Sequence, residues 1–249
     1  MPKLKPWHEQ NSFWELWRDI MFSPKRLADA RTEIDDLIKL VALKSGAHIL
    51  DLCCGVGRHS LELARRGFKV TGVDITPSYL DIATARAKEE KLVIEFVRED
   101  MRTFRRPDAF DAIINMFTSF GFFEDIEDDR RVAHNAYASL KRGGRFLIDT
   151  QGKEVLARVF RERDWRQEGE VLWLEERKIV GNWERIESLW TLIKDGERYE
   201  NRIVLRLYCA TELVALLKSA GFKKVTVYGD LAGSPYDQNA RRLVAVAEK

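Results

Sequence analysis

The stretch HILDLCCGVGRHS, residues 48 to 60, gathers side chains that could do three kinds of chemistry. His48 and His59 with Cys53 and Cys54 offer metal-ligand types. The adjacent thiols could form a redox pair. Gly55 and Gly57, at the end of an apolar run, could let backbone approach a ligand closely, since no Cβ stands in the way. Spacing separates these readings. His48 opens the run, and five strand residues at the usual rise place it about 16 Å from the turn, too far for one coordination sphere. Redox pairs normally use Cys-x-x-Cys rather than adjacent cysteines. No metal site is expected, and the stretch reads as strand, glycine-containing turn and helix.

Further potential ligands lie at the ends of later strands. Asp74 closes FKVTGVD, seventeen residues after Gly57, where a carboxylate could accept two hydrogen bonds from a ribose. A helix cap is the alternative role for such an acid. Glu99, Asp100 and Met101 follow VIEFV. Asp100 could accept from an exocyclic amine while Met101 packs on an aromatic base. One GxG is weak evidence by itself, and the dinucleotide fingerprint would place a third glycine where this chain has Ser60.

These residues need a scaffold. From residue 46, short β-branched runs alternate with amphipathic helical stretches: AHILDL, RHSLELARRG, FKVTGVD, a helix opened by Thr76-Pro77, VIEFV, FDAIINM and GRFLID. EDIEDDRRVAHNAYASLKRGG reads as a helix with acids at its start and Lys141-Arg142 at its end, as the helix dipole favours. This alternation implies a parallel sheet covered on both faces. Residues 171 to 208 read instead as a three-stranded antiparallel meander, with turns at Gly181-Asn182 and Asp195-Gly196. The α/β pattern resumes with Thr211 as N-cap, a helix ending at Gly221, KKVTVYG and RRLVAVA. The loop before the last run is too short for a crossover helix, so these two strands should be antiparallel neighbours.

Residues 1 to 45 form a further element, expected as helices near 10–22 and 24–42. Trp14, Trp17 and Met21 recur on one helix face. The chain's tryptophans lie either here (Trp7, Trp14, Trp17) or in and beside the meander (Trp165, Trp173, Trp183, Trp190), none in the α/β core. They either anchor both additions to the core or flank one aromatic-lined pocket.

Composition narrows the class. Forty-two basic and forty acidic residues leave a net charge of +2 in 249 residues, which gives no electrostatic case for a nucleic-acid binder. No apolar run approaches the length of a membrane span. The opening MPKLKPWHEQ lacks a signal peptide's apolar segment, and three cysteines cannot build a disulfide framework. A cytoplasmic, reduced location is expected.

At this point the chain resembles the class I S-adenosylmethionine-dependent methyltransferases, over residues 46 to 150 and, by pattern, 210 to 249. The resemblance rests on ILDLCCGVG, VTGVD, the EDM after the third strand, FDAIINM and LKRGGRFLID, in that order. It implies an α/β fold with a seven-stranded Rossmann-like sheet, mostly parallel with a reversed terminal hairpin. To this are added an N-terminal helical extension or lid (1–45) and an inserted β meander (151–209) for substrate, lid or dimer contacts. The family's usual D-x-G-x-G-x-G has glycine where this chain has Cys53. By resemblance, Asp51, Cys53 (through its carbonyl), Gly55 and Gly57 line the methionine part of S-adenosylmethionine. Asp74 takes the ribose and Ile75 the adenine face, Asp100 and Met101 the adenine edge and face, Asn115 the amino group, and Phe117 sits near the transferred methyl. Tyr79 is expected in the core rather than at the cofactor.

The chemistry implied is methyl transfer to nitrogen or oxygen of a small acceptor enclosed under a lid. No catalytic base is assigned: His8, His59, His134, Tyr208 and Tyr236 are available, none singled out by its surroundings. Arg18 is a candidate for a carboxylate of cofactor or substrate, against a solvated helix-face role. The segment Asn115-Met116-Phe117-Thr118 lacks the Asn/Asp-Pro-Pro-aromatic signature of enzymes that methylate nucleic-acid amines. A nicotinamide-dependent oxidoreductase and a noncatalytic cofactor-binding scaffold remain as alternatives. A homodimer through a meander edge is possible in principle.

Overall fold

The computed structural model describes residues 5–249. A 3-10 turn, Trp7–Glu9, leads into α1 (Asn11–Met21) and α2 (Pro24–Leu40). The α/β alternation then runs β1 (His48–Leu52), α3 (Arg58–Arg65), β2 (Lys69–Asp74), α4 (Pro77–Glu89), β3 (Ile94–Arg98), β4 (Phe110–Asn115), α5 (Ile126–Ser139) and β5 (Leu140–Thr150). After α6 (Lys153–Val159) come β6 (Arg163–Glu168), β7 (Val171–Val180), β8 (Arg185–Lys194) and β9 (Glu197–Arg206). The chain closes with α7 (Ala210–Ser219), β10 (Lys224–Tyr228) and β11 (Leu243–Glu248).

Two sheets result. The larger has seven strands in the order β10-β11-β5-β4-β1-β2-β3. Its strands are parallel except β11, which runs antiparallel to both β5 and β10, as the short final connection predicts. Chain order reverses between β1 and β4, which opens a crevice beyond the strands' carboxyl ends, where ligands of such sheets bind. Near-continuous apolar strands explain the burial of both faces: Leu50, Ile113, Phe146 and Ala245 face one core, while Ile49, Ile114, Leu147 and Val244 face the other, against α2 and α3.

The smaller sheet has four strands, not three: β6 precedes the predicted meander and pairs with β7. RDWRQE has no alternation of apolar residues and lies at an edge, mostly exposed, so its pattern carries no strand signal. Two helix limits also differ from expectation. α5 stops at Ser139, because Leu140 turns extended and pairs with Phe110, drawing Lys141 to Gly144 into β5. Lys141 then pairs with Asp111 instead of serving the helix dipole. The N-cap of α7 is Cys209 rather than Thr211; its N–H donates to Glu212 Oε2 at 2.9 Å. Among the described residues, no helix is long and apolar enough to cross a membrane.

Aromatic packing joins α1 to the smaller sheet. Trp17, fully buried, lies edge-on to Trp173 and Trp190, with ring centroids 5.8 and 5.1 Å away. Its indole N–H donates to Asn201 Oδ1 at 3.0 Å. A polar link ties the same sheet to the core. The backbone N–H of Arg206, in β9, donates to the Gly121 carbonyl at 2.7 Å, and its guanidinium donates to the Glu124 carbonyl. Beneath it, the carboxylate of Asp129 accepts from Tyr208 Oη at 2.5 Å.

Burial raises the pKa of Asp129 to about 6, against the counteracting Tyr208 hydrogen bond and Arg206 charge. A carboxyl whose folded pKa lies above its unfolded value binds its proton more tightly in the fold. Its contribution is therefore fully present below about pH 4 and lost as pH rises through about 6. Asp129→Asn keeps an acceptor for Tyr208 and removes that loss. Relative to the parent, its melting temperature should rise between pH 4.5 and 7.5, equivalent to as much as about 3 kcal/mol. A flat difference across that range would contradict the assignment.

Candidate active site

The crevice at the reversal point contains a cavity of about 110 Å³. Its wall is built from the ends of β1, β2, β3 and β4 and closed by the N-terminal segment. Cys53, Gly55, Asp74, Ile75, Asp100, Met101 and Phe117 all line it. Asp51, Gly57 and Asn115 do not: Gly57 donates its N–H to the carbonyl of lining Cys54, while Asp51 and Asn115 hold Ser60 and the Leu52 carbonyl behind the wall.

The turn after β1 shows why its residue types matter. Gly57 has φ +75°, and a Cβ there would lie 2.9 Å from Ala83 Cβ. Gly55 has φ +56° and its backbone N–H donates to Asp74 Oδ2 at 2.8 Å. The other oxygen of Asp74 accepts from Thr76 N–H at 2.8 Å. Asp74 thus ties the residue before α4 to the turn after β1, with further lone pairs left on each oxygen for a ligand. Cys53 takes the left-handed conformation itself, at φ +66°. That is the conformation glycine adopts freely and cysteine only with strain. Its Sγ lies 3.3 Å from Met101 Sδ.

Electrostatics at the inner end are acidic. Burial pushes Asp51 and Asp74 above the ordinary carboxylate range. Asp51 accepts from Ser60 Oγ at 2.6 Å, so the residue at the third-glycine position of a dinucleotide fingerprint is turned inward as a brace. Burial opposes ionisation of Asp100 too, but the side chain and backbone N–H of Arg102 hold it below the usual range. Arg102 also pairs with Glu9, at 2.6 Å, tying the N-terminal segment to this acid. Burial, together with Asp74, Asp100 and Asp51, raises the Cys53 thiol far above its ordinary value; burial does the same to Cys54. Both sulfurs remain thiols at neutral pH, which deprives them of nucleophilic or redox character.

Several lining residues carry no signal in the sequence. Phe22 rests on Gly55, where a Cβ would meet its ring at 2.6 Å. Tyr79, expected only in the core, is buried but lines the cavity and donates its hydroxyl to the Trp14 carbonyl at 2.5 Å. Arg58 and His59 also line it, both held by Glu33 of α2, at 2.5 and 2.7 Å. His48 lies elsewhere, on Thr71 Oγ1 at 2.9 Å, so the two histidines of the opening stretch have separate partners. Among the other residues considered for acid–base work, His8 lines the cavity, with burial depressing its pKa. His134 is exposed, Tyr208 is committed to Asp129, and Tyr236 donates to Glu154. Arg18 pairs with Asp19 and does not line the cavity.

Phe117 forms the outer wall. It and Thr118 have φ of +64° and +65°, an uncommon conformation for such side chains. Asp149 holds the pair in place: it accepts from Phe117 N–H at 3.1 Å and from Thr118 N–H through its carbonyl at 2.9 Å. Arg242 of the loop before β11 donates to Asp149 and to Thr118 Oγ1. Strain supported by such a network is a feature of functional turns. Nothing in the local sequence of Phe117 signals this, because Asp149 and Arg242 are remote in the chain.

Residues 49–144 match the family model described as a methyltransferase domain. These residues form a methyltransferase domain. Along nearly its whole length it is similar to a Geobacillus sp. (strain WCH70) protein that carries a methyltransferase name, 23% identical over 239 residues covering 94% of this chain and 97% of that one. The fold matches the CcbJ methyltransferase of Streptomyces caelestis with a TM-score of 0.81 at 19% identity, covering 98% and 97% of the two chains. It also matches CalS10 of Micromonospora echinaspora, an amino pentose methyltransferase solved with S-adenosylmethionine bound, at TM-score 0.69 and 22% identity, over 95% and 96%.

The geometry of Cys53 makes this methyltransferase tolerant of the family's usual glycine there. Cys53→Gly removes left-handed strain worth about 1 kcal/mol and loses one buried sulfur of comparable value. The variant should keep its melting temperature within a few degrees and bind S-adenosylhomocysteine with unchanged affinity in calorimetry. Loss of binding would show that the thiol itself contacts the ligand.

Proposed function

We propose that the inner cavity holds S-adenosylmethionine and that the enzyme methylates an amine nitrogen or hydroxyl oxygen of a small molecule. The observation that carries this reading is the convergence of Asp74, Ile75, Asp100 and Met101 with the Cys53–Gly57 turn around one cavity at the sheet's reversal point. Buried acceptors there suit a cationic amino acid. Asn115 stands just behind that wall: its Nδ2 donates to the Leu52 carbonyl at 3.0 Å, while its buried Oδ1 has no partner among the described residues. In this proposal that oxygen accepts from the cofactor's amino group, Asp74 accepts from the ribose, and Asp100 from the adenine edge with Met101 and Ile75 against the ring.

The sulfonium supplies an activated methyl whose transfer leaves a neutral thioether. The protein's part is to bring the acceptor into line and exclude water, and such positioning can lower a barrier by several kcal/mol. Phe117 and the aromatic residues of the N-terminal segment make that boundary. At about 110 Å³ the cavity is smaller than ordinary small-molecule sites, so Phe22 and its neighbours must shift outward to admit the cofactor. The relation to CalS10, whose acceptor is an amino pentose, supports a small acceptor.

In a thermal-shift assay S-adenosylhomocysteine should stabilise the protein and NAD should not; stabilisation by NAD alone would sink this reading in favour of an oxidoreductase. Asn115→Leu should weaken S-adenosylhomocysteine about tenfold or more, because a buried acceptor for a charged group is lost. Unchanged affinity would remove Asn115 from the site. Binding without turnover across a broad panel of amines and alcohols would favour a noncatalytic role.

A further inference from the structure

A second cavity, of about 470 Å³, adjoins the first and shares Trp14, Met21, Phe117 and Phe122 with it. The volume falls in the usual range for small-molecule sites. Its outer wall is the inner face of the four-stranded sheet, and strand alternation decides what that face presents. The register sets Arg166 opposite Trp173, Asp164 opposite Glu175, Glu175 opposite Trp190 and Arg177 opposite Ser188. The face therefore carries aromatic rings at its centre and guanidinium groups around them.

The charges do not cancel. Five arginines line this chamber (Arg26, Arg161, Arg166, Arg177 and Arg206) against two acids, Asp164 and Glu175. Both acids are already engaged: Glu175 pairs with Arg177, and Asp164 lies 3.8 Å from Arg161. Arg206 is served by Glu184 at 2.6 Å and stands 3.8 Å from Asp129. Among the described residues, Arg26 and Arg166 have no carboxylate within ion-pair distance. Arg26 is half-buried, lies over the Phe117 ring at 4.6 Å, and donates to the Ile20 and Met21 carbonyls. Arg166 lies over the Trp173 ring at 5.4 Å. Burial first, then Arg166 and Arg58, depress the pKa of Arg26; burial, Arg166 and Arg161 do so for Arg177. Arg161 and Arg166 are exposed to water, whereas Arg26, Arg177 and Arg206 are drawn inward, so an anion entering the chamber would meet positive charge from its mouth to its wall.

Excess positive charge favours a guest that is negatively charged. The rings of Trp7, Phe13, Trp173 and Trp190 require that the guest also have an apolar body.

We propose that the methyl acceptor is an anionic small molecule, with a carboxylate or phosphate held by Arg26 and Arg166 and an apolar body on the tryptophan wall. The inference rests on the reading of the inner cavity as the S-adenosylmethionine site. The acceptor's reacting nitrogen or oxygen then faces Phe117, a residue common to both cavities, while its anionic end stays in the outer chamber. With S-adenosylmethionine bound, the nucleophile would form a bond to the methyl carbon as the carbon–sulfur bond breaks, the sulfur would keep that electron pair, and the proton of the amine or hydroxyl would pass to water.

The test uses the full chain saturated with S-adenosylhomocysteine and three probes of one shape: 3-phenylpropionate, 3-phenylpropanamide and 3-phenylpropylamine. Calorimetry should show the acid binding at least about tenfold more tightly than the amide, with the amine weakest, since a charge-assisted contact to arginine is lost in both. In Arg166→Gln the acid should lose most of that advantage while S-adenosylhomocysteine affinity, the control for an intact fold, stays unchanged. Equal affinity for acid and amide, preference for the amine, or no binding of the acid at millimolar concentration overturns the proposal. So does an acid preference that survives in Arg166→Gln. Failure of S-adenosylhomocysteine to bind at the outset would instead overturn the reading of the inner cavity.

Discussion

A single hydrogen bond, from the backbone N–H of Gly55 to the buried carboxylate of Asp74, locks the first turn of the sheet onto the end of the second strand. The carboxylate is costly to bury, and two backbone donors, from Gly55 and Thr76, offset that cost. The rest of the inner cavity depends on this bond. With the turn fixed, Cys53 is held at positive φ and its sulfur rests on Met101. In the first turn of α4, just beyond Thr76, Tyr79 lines the cavity and reaches the Trp14 carbonyl. Burial, with a smaller contribution from the neighbouring acids, raises the pKa of both thiols, so the geometry that forms the turn also keeps it chemically inert.

The inner and outer cavities have opposite electrostatic character, and Phe117 stands between them. Asp74 and Asp100 give the inner end acceptors suited to a cation, while the outer chamber is lined with arginine. The separation arises from topology. The acids sit at the carboxyl ends of parallel strands, and the arginines come largely from the inserted sheet and from α2. Neither group could be placed there by the other's element. Joining the two requires the aromatic packing of Trp17 on Trp173 and Trp190, which seats α1 on the inserted sheet and closes the chamber between them.

Much of this architecture is readable in residue order. Alternating apolar runs announce the parallel strands, and the absence of a crossover helix announces the reversed final pair. Asp74, Asp100, Met101 and Phe117 stand out because each ends or closely follows a strand, where ligands of such sheets bind. The features that residue order hides are set by partners distant in the chain. The strand RDWRQE has no pattern of its own and exists because β7 offers an edge. The helix before β5 reads as longer because Lys141 and Arg142 resemble a helix end, whereas pairing of Leu140 with Phe110 takes those residues into the sheet. Tyr79 and Phe22 become cavity residues only through packing between the N-terminal segment and α4, as their 5.2 Å edge contact shows.

The Phe117–Thr118 turn shows why such partners matter for function. Two consecutive residues in left-handed conformation would relax if released, since local preferences oppose both. Asp149, at the end of β5, accepts from both backbone N–H groups, and Arg242 in turn holds Asp149 and the Thr118 hydroxyl. Arg242 lies at the entrance to β11, whose antiparallel pairing with β5 brings Leu243 beside Thr150. The reversed hairpin therefore does more than complete the sheet. Running β11 the other way carries its first residues, rather than its last, to the ligand end, and so delivers an arginine beside a strained turn that it can brace. A parallel final strand would put Arg242 at the opposite end of the strands and leave Phe117 free to swing out of the wall it forms between the two cavities.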